Sequence, residues 1–298
     1  MARRNRAAQT AFGPTVLAAI EQNEPPRRRL VDDDLAAALL PLRLRVLVAA
    51  TRVPPVRHAV VRAVERAAPG LWANILCRRR FTDDHLSAVL AESDAVIILG
   101  SGFDTRGYHL AGRSRVPVFE VDLPVNIARK RAAVTRALGT PPPSVRYVPM
   151  DFERDDLATT LAEHGYRAGH RAFVVWEGVT QYLTADAVHA TLRQLSSLPP
   201  GSRLTFSYVQ RDFIDGANLY GAPSAYRRFR VRNQVWHFGL RPDEVAAFIG
   251  GHGWTLAEQA GPDYHVNHYI RPTGRRLAAS DLEWTAYAVK DSANTSIP

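Results

Sequence analysis

The sequence predicts an α/β fold, a seven-stranded, mostly parallel sheet covered by helices on both faces. Three observations carry that expectation. From residue 94 onward, short apolar runs alternate with helical patterns, the signature of strand-helix-strand units. Ala95 to Leu99 is apolar throughout and rich in β-branched side chains, as suits a central strand buried on both faces. That run ends in Gly100-Ser-Gly102, and a second strand ends in acid about 20 residues later, the Rossmann-like arrangement that holds a nucleoside.

Taken in order, residues 1 to about 30 hold many Arg, Gln, Asn and Pro residues without periodicity and are expected to be flexible, at least at the start. Asp32-Asp-Asp34 can open a helix over Leu35 to Leu40, because acids favour a helix N-terminus, and Arg57 to Ala67 is a second helical segment. Residues 1–90 thus read as a helical N-terminal extension and 91–298 as the main domain. Strands are expected at 95–99, 116–121, 145–149, 172–176 and 203–208, with helices around 124–137, 154–164 and 184–196. Gly100 and Gly102 let the backbone turn and approach a ligand with no Cβ in the way, and Asp104-Thr-Arg106 can cap the helix that follows. In the second strand Glu120 and Asp122 share one face, with Phe119 and Val121 on the other, and Pro124 suits the first turn of the next helix. Residues 210–240 are aromatic and arginine-rich, break the rhythm, and are expected to form a lid insertion over the carboxyl edge of the sheet. A helix from Arg241 stops at Gly250-Gly-His-Gly253, and strands at Trp254 to Glu258 and Leu282 to Val289 complete the seven.

Composition narrows the function classes. At 298 residues the chain can bury a large core. Cys77 is the only cysteine, which excludes an intrachain disulfide and a cysteine-based zinc site, so a cytoplasmic enzyme is expected and no metal is assigned. The apolar stretch Leu35 to Val56 is broken by Arg43, Arg45 and Arg52, too often for a membrane span, and no membrane partner is expected. The arginines among the first six residues lack a following apolar core, since Gln9, Thr10 and Pro14 intervene, so no export signal is expected. The formal charge of +9 invites a nucleic-acid reading. Yet Lys130 and Lys290 are the only lysines among 38 basic residues, and arginine and alanine are abundant throughout. That pattern reads as compositional bias, and a nucleic-acid partner is disfavoured. Two local clusters stand out, Arg27-Arg-Arg29 and Tyr226-Arg-Arg-Phe-Arg-Val-Arg232.

Four ordered runs carry a family resemblance: Ile97-Ile-Leu-Gly-Ser-Gly-Phe-Asp-Thr-Arg106, Phe119-Glu-Val-Asp-Leu-Pro124, Val148-Pro-Met-Asp-Phe152 and Trp176-Glu-Gly-Val-Thr-Gln-Tyr-Leu-Thr184. Together they resemble the leucine carboxyl methyltransferase-like family, over about residues 75–289. The resemblance implies the class I methyltransferase fold and S-adenosyl-L-methionine as cofactor. The family includes a protein-phosphatase methyltransferase, a tRNA-modifying relative and bacterial O-methyltransferases of natural products, and the last is the branch expected here. Residue by residue, it implies Arg78 for the cofactor's carboxylate, with Arg80 as a near competitor, and Gly100 at the turn. It favours Asp122 for the ribose, where the residues alone leave Glu120 as a rival. Asp151 and Phe152 fall beside the adenine, where the family usually has Asp-Leu, and Glu177 at the end of the fourth strand is implied to touch the cofactor. Tyr182 is expected to border the methyl group or the acceptor, or else to pack a helix.

The implied reaction is O-methylation of a small-molecule or peptide acceptor of acidic character. A carboxylate acceptor is already ionised at neutral pH and needs no general base, so no catalytic residue is assigned. A hydroxyl acceptor would need one, with His237 or His265 as candidates. One of Arg227, Arg228, Arg230 and Arg232 is expected to hold an acidic group while Tyr226 or Phe229 stacks on its rings; a solvated basic face is the alternative. The rival readings are an RNA or protein-carboxyl methyltransferase and a nicotinamide dehydrogenase. Against the dehydrogenase, Thr105 stands where the third glycine of its fingerprint belongs. The sequence leaves the acceptor and the oligomeric state unspecified.

Overall fold

The structure, a computed structural model, describes residues 12–291, so the expected flexibility of the first residues and the export reading of Arg3, Arg4 and Arg6 fall outside the described residues. Among the described residues, five α-helices precede the sheet: α1 (Gly13–Glu21), α2 (Ala36–Leu39), α3 (Leu42–Ala50), α4 (Pro54–Ala67) and α5 (Leu71–Val89). Regular structure therefore begins earlier than composition suggests. Leu17, Ala18, Ala19 and Ile20 of α1 are buried in one cluster with Trp72 and Leu76 of α5, and apolar burial rather than propensity holds so short a helix. Buried Glu21 fastens that layer, accepting hydrogen bonds from the Leu30 amide at 2.8 Å and the Trp72 indole at 3.3 Å while pairing with Arg275. The acidic start expected for α2 is realised by Asp33, whose Oδ1 accepts the Ala36 N–H at 3.0 Å.

The rest alternates as the pattern predicts, in the order β1 (Ala95–Leu99), α6 (Arg106–Ala111), β2 (Val118–Asp122), α7 (Pro124–Leu138), β3 (Val145–Pro149), α8 (Leu157–Glu163), β4 (Ala172–Trp176), α9 (Ala185–Leu195) and β5 (Arg203–Val209). The insertion supplies α10 (Arg211–Asp215), α11 (Pro223–Tyr226) and a π-helical turn over Arg227–Arg232. Then come α12 (Val245–Gly250), β6 (Trp254–Ala260), α13 (Pro262–His265) and β7 (Glu283–Lys290). The seven strands lie in the order β3-β2-β1-β4-β5-β7-β6, all parallel except β7, which is antiparallel to both neighbours. Every residue of β1, β2 and β4 is buried, and β1 and β4 accordingly read as unbroken apolar runs.

Three boundaries differ from the pattern for local reasons. The second strand starts at Val118, opposite Val145, because Pro117 has no N–H to contribute to a ladder. α8 starts at Leu157 because Asp156 caps it, its side chain accepting the Thr159 N–H at 2.7 Å. The helix expected from Arg241 begins only at Val245, after a turn in which Arg241 pairs with Asp243 at 3.2 Å.

From β1 the chain moves outward to β2 and β3, then returns to lay β4 on the other side of β1. This reversal leaves a crevice beyond the carboxyl ends of β1 and β4, the place where ligands bind in open α/β sheets. No helix among the described residues is long and apolar enough to cross a membrane.

Candidate active site

A cavity of about 390 Å³ opens at that reversal, and Arg78, Gly100, Asp122, Asp151, Phe152, Glu177 and Tyr182 all line it. The volume lies in the range of small-molecule sites. Two rivals drop out. Glu120 is fully buried and does not line the cavity; it pairs with Lys130 of α7 at 2.8 Å and accepts the Tyr108 hydroxyl at 3.1 Å. Arg80 is exposed and pairs with Asp84 one helical turn away at 2.8 Å.

The glycine turn has a geometry only glycine tolerates. Gly100 sits at φ +67°, and a Cβ there would stand 2.2 Å from Val179 Cγ2. Gly102, at φ +42°, donates its N–H to Asp122 Oδ2 at 2.6 Å, while Asp122 Oδ1 accepts the Leu123 N–H at 2.7 Å and the Asn126 amide at 2.8 Å. Burial raises the Asp122 pKa, and these donors oppose the rise.

Opposite the turn, charges interleave. Arg106, first residue of α6, reaches Asp83 at 2.5 Å, Asp104 at 2.5 Å and Glu177 at 2.7 Å. Arg78 donates to Glu283 at 2.6 Å, and Glu283 also accepts the Ser207 hydroxyl at 2.7 Å, which in turn accepts the Gly178 N–H at 2.8 Å. Glu177 is further held by the Thr82 hydroxyl at 2.8 Å. Burial disfavours the Asp104 carboxylate, but Arg106 and Arg79 beside it hold its pKa down to about 2. Six carboxylates, from Asp104, Asp122, Asp151, Glu153, Glu177 and Glu283, face three guanidinium groups, from Arg78, Arg79 and Arg106, so the wall favours a ligand of net positive charge.

The far end is apolar and aromatic. Leu71, Ile75, Val209, Leu282, Tyr182, Phe229 and Trp236 line it. Phe229 stacks on Trp236 with centroids 4.6 Å apart, and Tyr182 meets the same indole edge-on at 6.1 Å. The insertion thus turns its rings inward and leaves its arginines off the cavity wall, in keeping with the basic-face alternative and not with an arginine clamp. Arg230 donates to the carbonyls of Ile214 at 2.9 Å and Trp236 at 2.6 Å, and Arg227, Arg228 and Arg232 are exposed. Neither histidine candidate lines the cavity: His237 is exposed, and His265 is fully buried behind Arg78.

Side-chain atoms along the cavity wall lack partners within the protein: Arg78 Nε, Ser101 Oγ, Asn126 Oδ1, Gln181 Oε1 and Trp236 Nε1. All five atoms are themselves shut off from solvent, so they lie behind the surface of the wall and not on it.

Comparison with known proteins decides the family. Residues 11–196 match the family model "Leucine carboxyl methyltransferase". The chain belongs to the leucine carboxyl methyltransferase family. Among its relatives, a Mycobacterium bovis protein named "Putative S-adenosyl-L-methionine-dependent methyltransferase" is 34% identical over 275 residues, 88% of each chain. A protein of the same name from Mycolicibacterium paratuberculosis is 32% identical over 68% of this chain and 67% of its own; for another, from Mycobacterium sp. (strain KMS), the match spans only 63% of the relative. The solved structure of a methyltransferase from Thermobifida fusca shares the fold at a TM-score of 0.56 and 17% identity, over 80% of this chain and 89% of that one.

Within this family member, sequence reading passed over Arg106, Glu283, Gln181 and Trp236. An acid opening an otherwise apolar strand, Leu282-Glu283-Trp284, was the available signal for Glu283. Nothing local marks Arg106 as buried.

Proposed function

We propose that this chain is an S-adenosyl-L-methionine-dependent O-methyltransferase acting on a carboxylate or hydroxyl of a ring-bearing small molecule of natural-product type. One observation carries the reading: a single cavity joins a charged, glycine-lined end to an aromatic end with no arginine in it. The residues at the charged end fit the cofactor. Its excess of carboxylates suits an ammonium and a sulfonium, the Arg78 guanidinium is a lining cation for a carboxylate, and Asp122 lies at the end of β2 where a ribose is held. Phe152 offers an apolar face to a purine beside Asp151.

S-adenosyl-L-methionine supplies an activated methyl group when bound. The chain's own task is to position an acceptor oxygen and exclude water from it. Tyr182, Phe229 and Trp236 give a ring a stacking wall in an otherwise apolar chamber. A carboxylate bound there needs no base; this matches a wall in which neither histidine candidate stands. The proposal takes residues 1–90 as a helical extension that supplies part of the wall, through Pro14, Thr15, Leu71 and Ile75, and 91–298 as the methyltransferase domain with its lid at about 210–240. Single, buried Cys77 supports a cytoplasmic setting.

The test is transfer of a labelled methyl group from S-adenosyl-L-methionine to a panel of aromatic carboxylic acids and phenols. A base-labile product identifies a carboxyl ester and a base-stable one an ether, and either supports the reading. Transfer confined to RNA or protein would overturn it.

A further inference from the structure

We propose that the outer face of α3 and the start of α4 is a docking surface for an anionic lipid bilayer. Among the described residues, seven large aliphatic side chains are conspicuously exposed, and five of them fall within one stretch of 15 residues: Leu42 at 71%, Val46 at 61%, and Leu47, Val53 and Val56. Leu42 and Val46 are one helical turn apart on α3, so they share a face, while Leu44 and Val48 turn inward to the core. Such a cluster is more than the scattered exposed apolar residues that any surface carries.

Charge says what covers it. Exposed Arg43, Arg45 and Arg52 are interleaved with these aliphatics, and exposed Arg62 follows on α4. From Leu35 to Val64 there is not one acid, in a chain that has 29. A second copy of the chain would set the same arginines against each other across a two-fold axis, with no acid to offset them. Nucleic acid would satisfy the arginines but gives the exposed aliphatics nothing to bury in, and the stretch holds no Phe, Tyr or Trp for a base to stack on. A bilayer surface with anionic headgroups meets both needs, taking Leu42, Val46 and Leu47 into the acyl boundary while arginine stems reach back to phosphate. The same arginines that rule out a membrane span suit a helix lying on the membrane.

The full chain is to be tested by co-sedimentation with vesicles of phosphatidylcholine alone and of phosphatidylcholine mixed with phosphatidylglycerol. Binding is expected to the mixed vesicles only, weakened on the order of tenfold by L42S/V46S/L47S and likewise by R43Q/R45Q, and by raised salt. Both variants change exposed residues outside the cavity, so unaltered thermal unfolding and S-adenosylhomocysteine binding will show that the fold is kept. Failure to bind mixed vesicles, equal binding to neutral ones, or wild-type binding by the triple variant would overturn the proposal. So would a concentration-dependent dimer, without lipid, that the triple variant abolishes. None of these results bears on the methyltransferase reading.

Discussion

Arg106 Nη1 donates to Glu177 Oε2 at 2.7 Å, tying the helix after the glycine turn to the end of β4 across the crevice. Arg106 also holds Asp83 and Asp104, so one buried guanidinium offsets three carboxylates. Arg106→Met should strand those acids and cost about 3–5 kcal/mol, measurable by urea unfolding. Arg106→Lys, a point charge without the planar fork, should lose less stability but weaken cofactor binding.

Gly100 faces Val179 so closely that any Cβ must displace it. Gly100→Ala should destabilise by about 2–4 kcal/mol, combining backbone strain at positive φ with the clash. Adding Val179→Ala should recover the steric part and leave about 1 kcal/mol of strain. A double mutant no more stable than Gly100→Ala would show that the contact is not the cause.

His265 has no exposed surface, both ring nitrogens lack partners, and burial, with Arg78 and His268 nearby, lowers its pKa from 6.5 to about 4. Because the unfolded chain takes up the proton first as pH falls, the histidine's stabilisation is complete above about pH 6.5 and is lost as pH falls toward 4. The loss is on the order of 3 kcal/mol. His265→Phe should leave stability near pH 7.5 almost unchanged and flatten the fall between about pH 6.5 and 4, read from unfolding midpoints at each pH.

Trp236 walls the acceptor end of the cavity in the proposed reaction. Trp236→Ala removes the ring that stacks on Phe229, so KM for the acceptor should rise roughly five- to tenfold with kcat little changed. A matching fall in kcat instead would place Trp236 in transition-state stabilisation.

What the sequence made legible follows from contact range. β1 and β4 are apolar at every position, so strand, burial and central location were readable together. Gly100, Asp122 and Glu177 lie at strand ends, where type and position suffice. The Arg106–Glu177 contact spans 71 residues and the Arg78–Glu283 contact 205, and no local pattern announces either pairing. Which side of the lid faces the cavity was left open for a different reason. Arg227–Arg232 winds as a π-helical turn, a period that composition does not announce.

The central claim is that the crevice between β1 and β4 binds an S-adenosyl compound through the glycine turn and Asp122. Calorimetric titration of the protein with S-adenosylhomocysteine, and in parallel with NAD, tests it most directly. The account predicts one saturable site for S-adenosylhomocysteine, weakened on the order of tenfold or more by Asp122→Ala, and no heat with NAD. No binding of S-adenosylhomocysteine, or binding indifferent to Asp122→Ala, would contradict it.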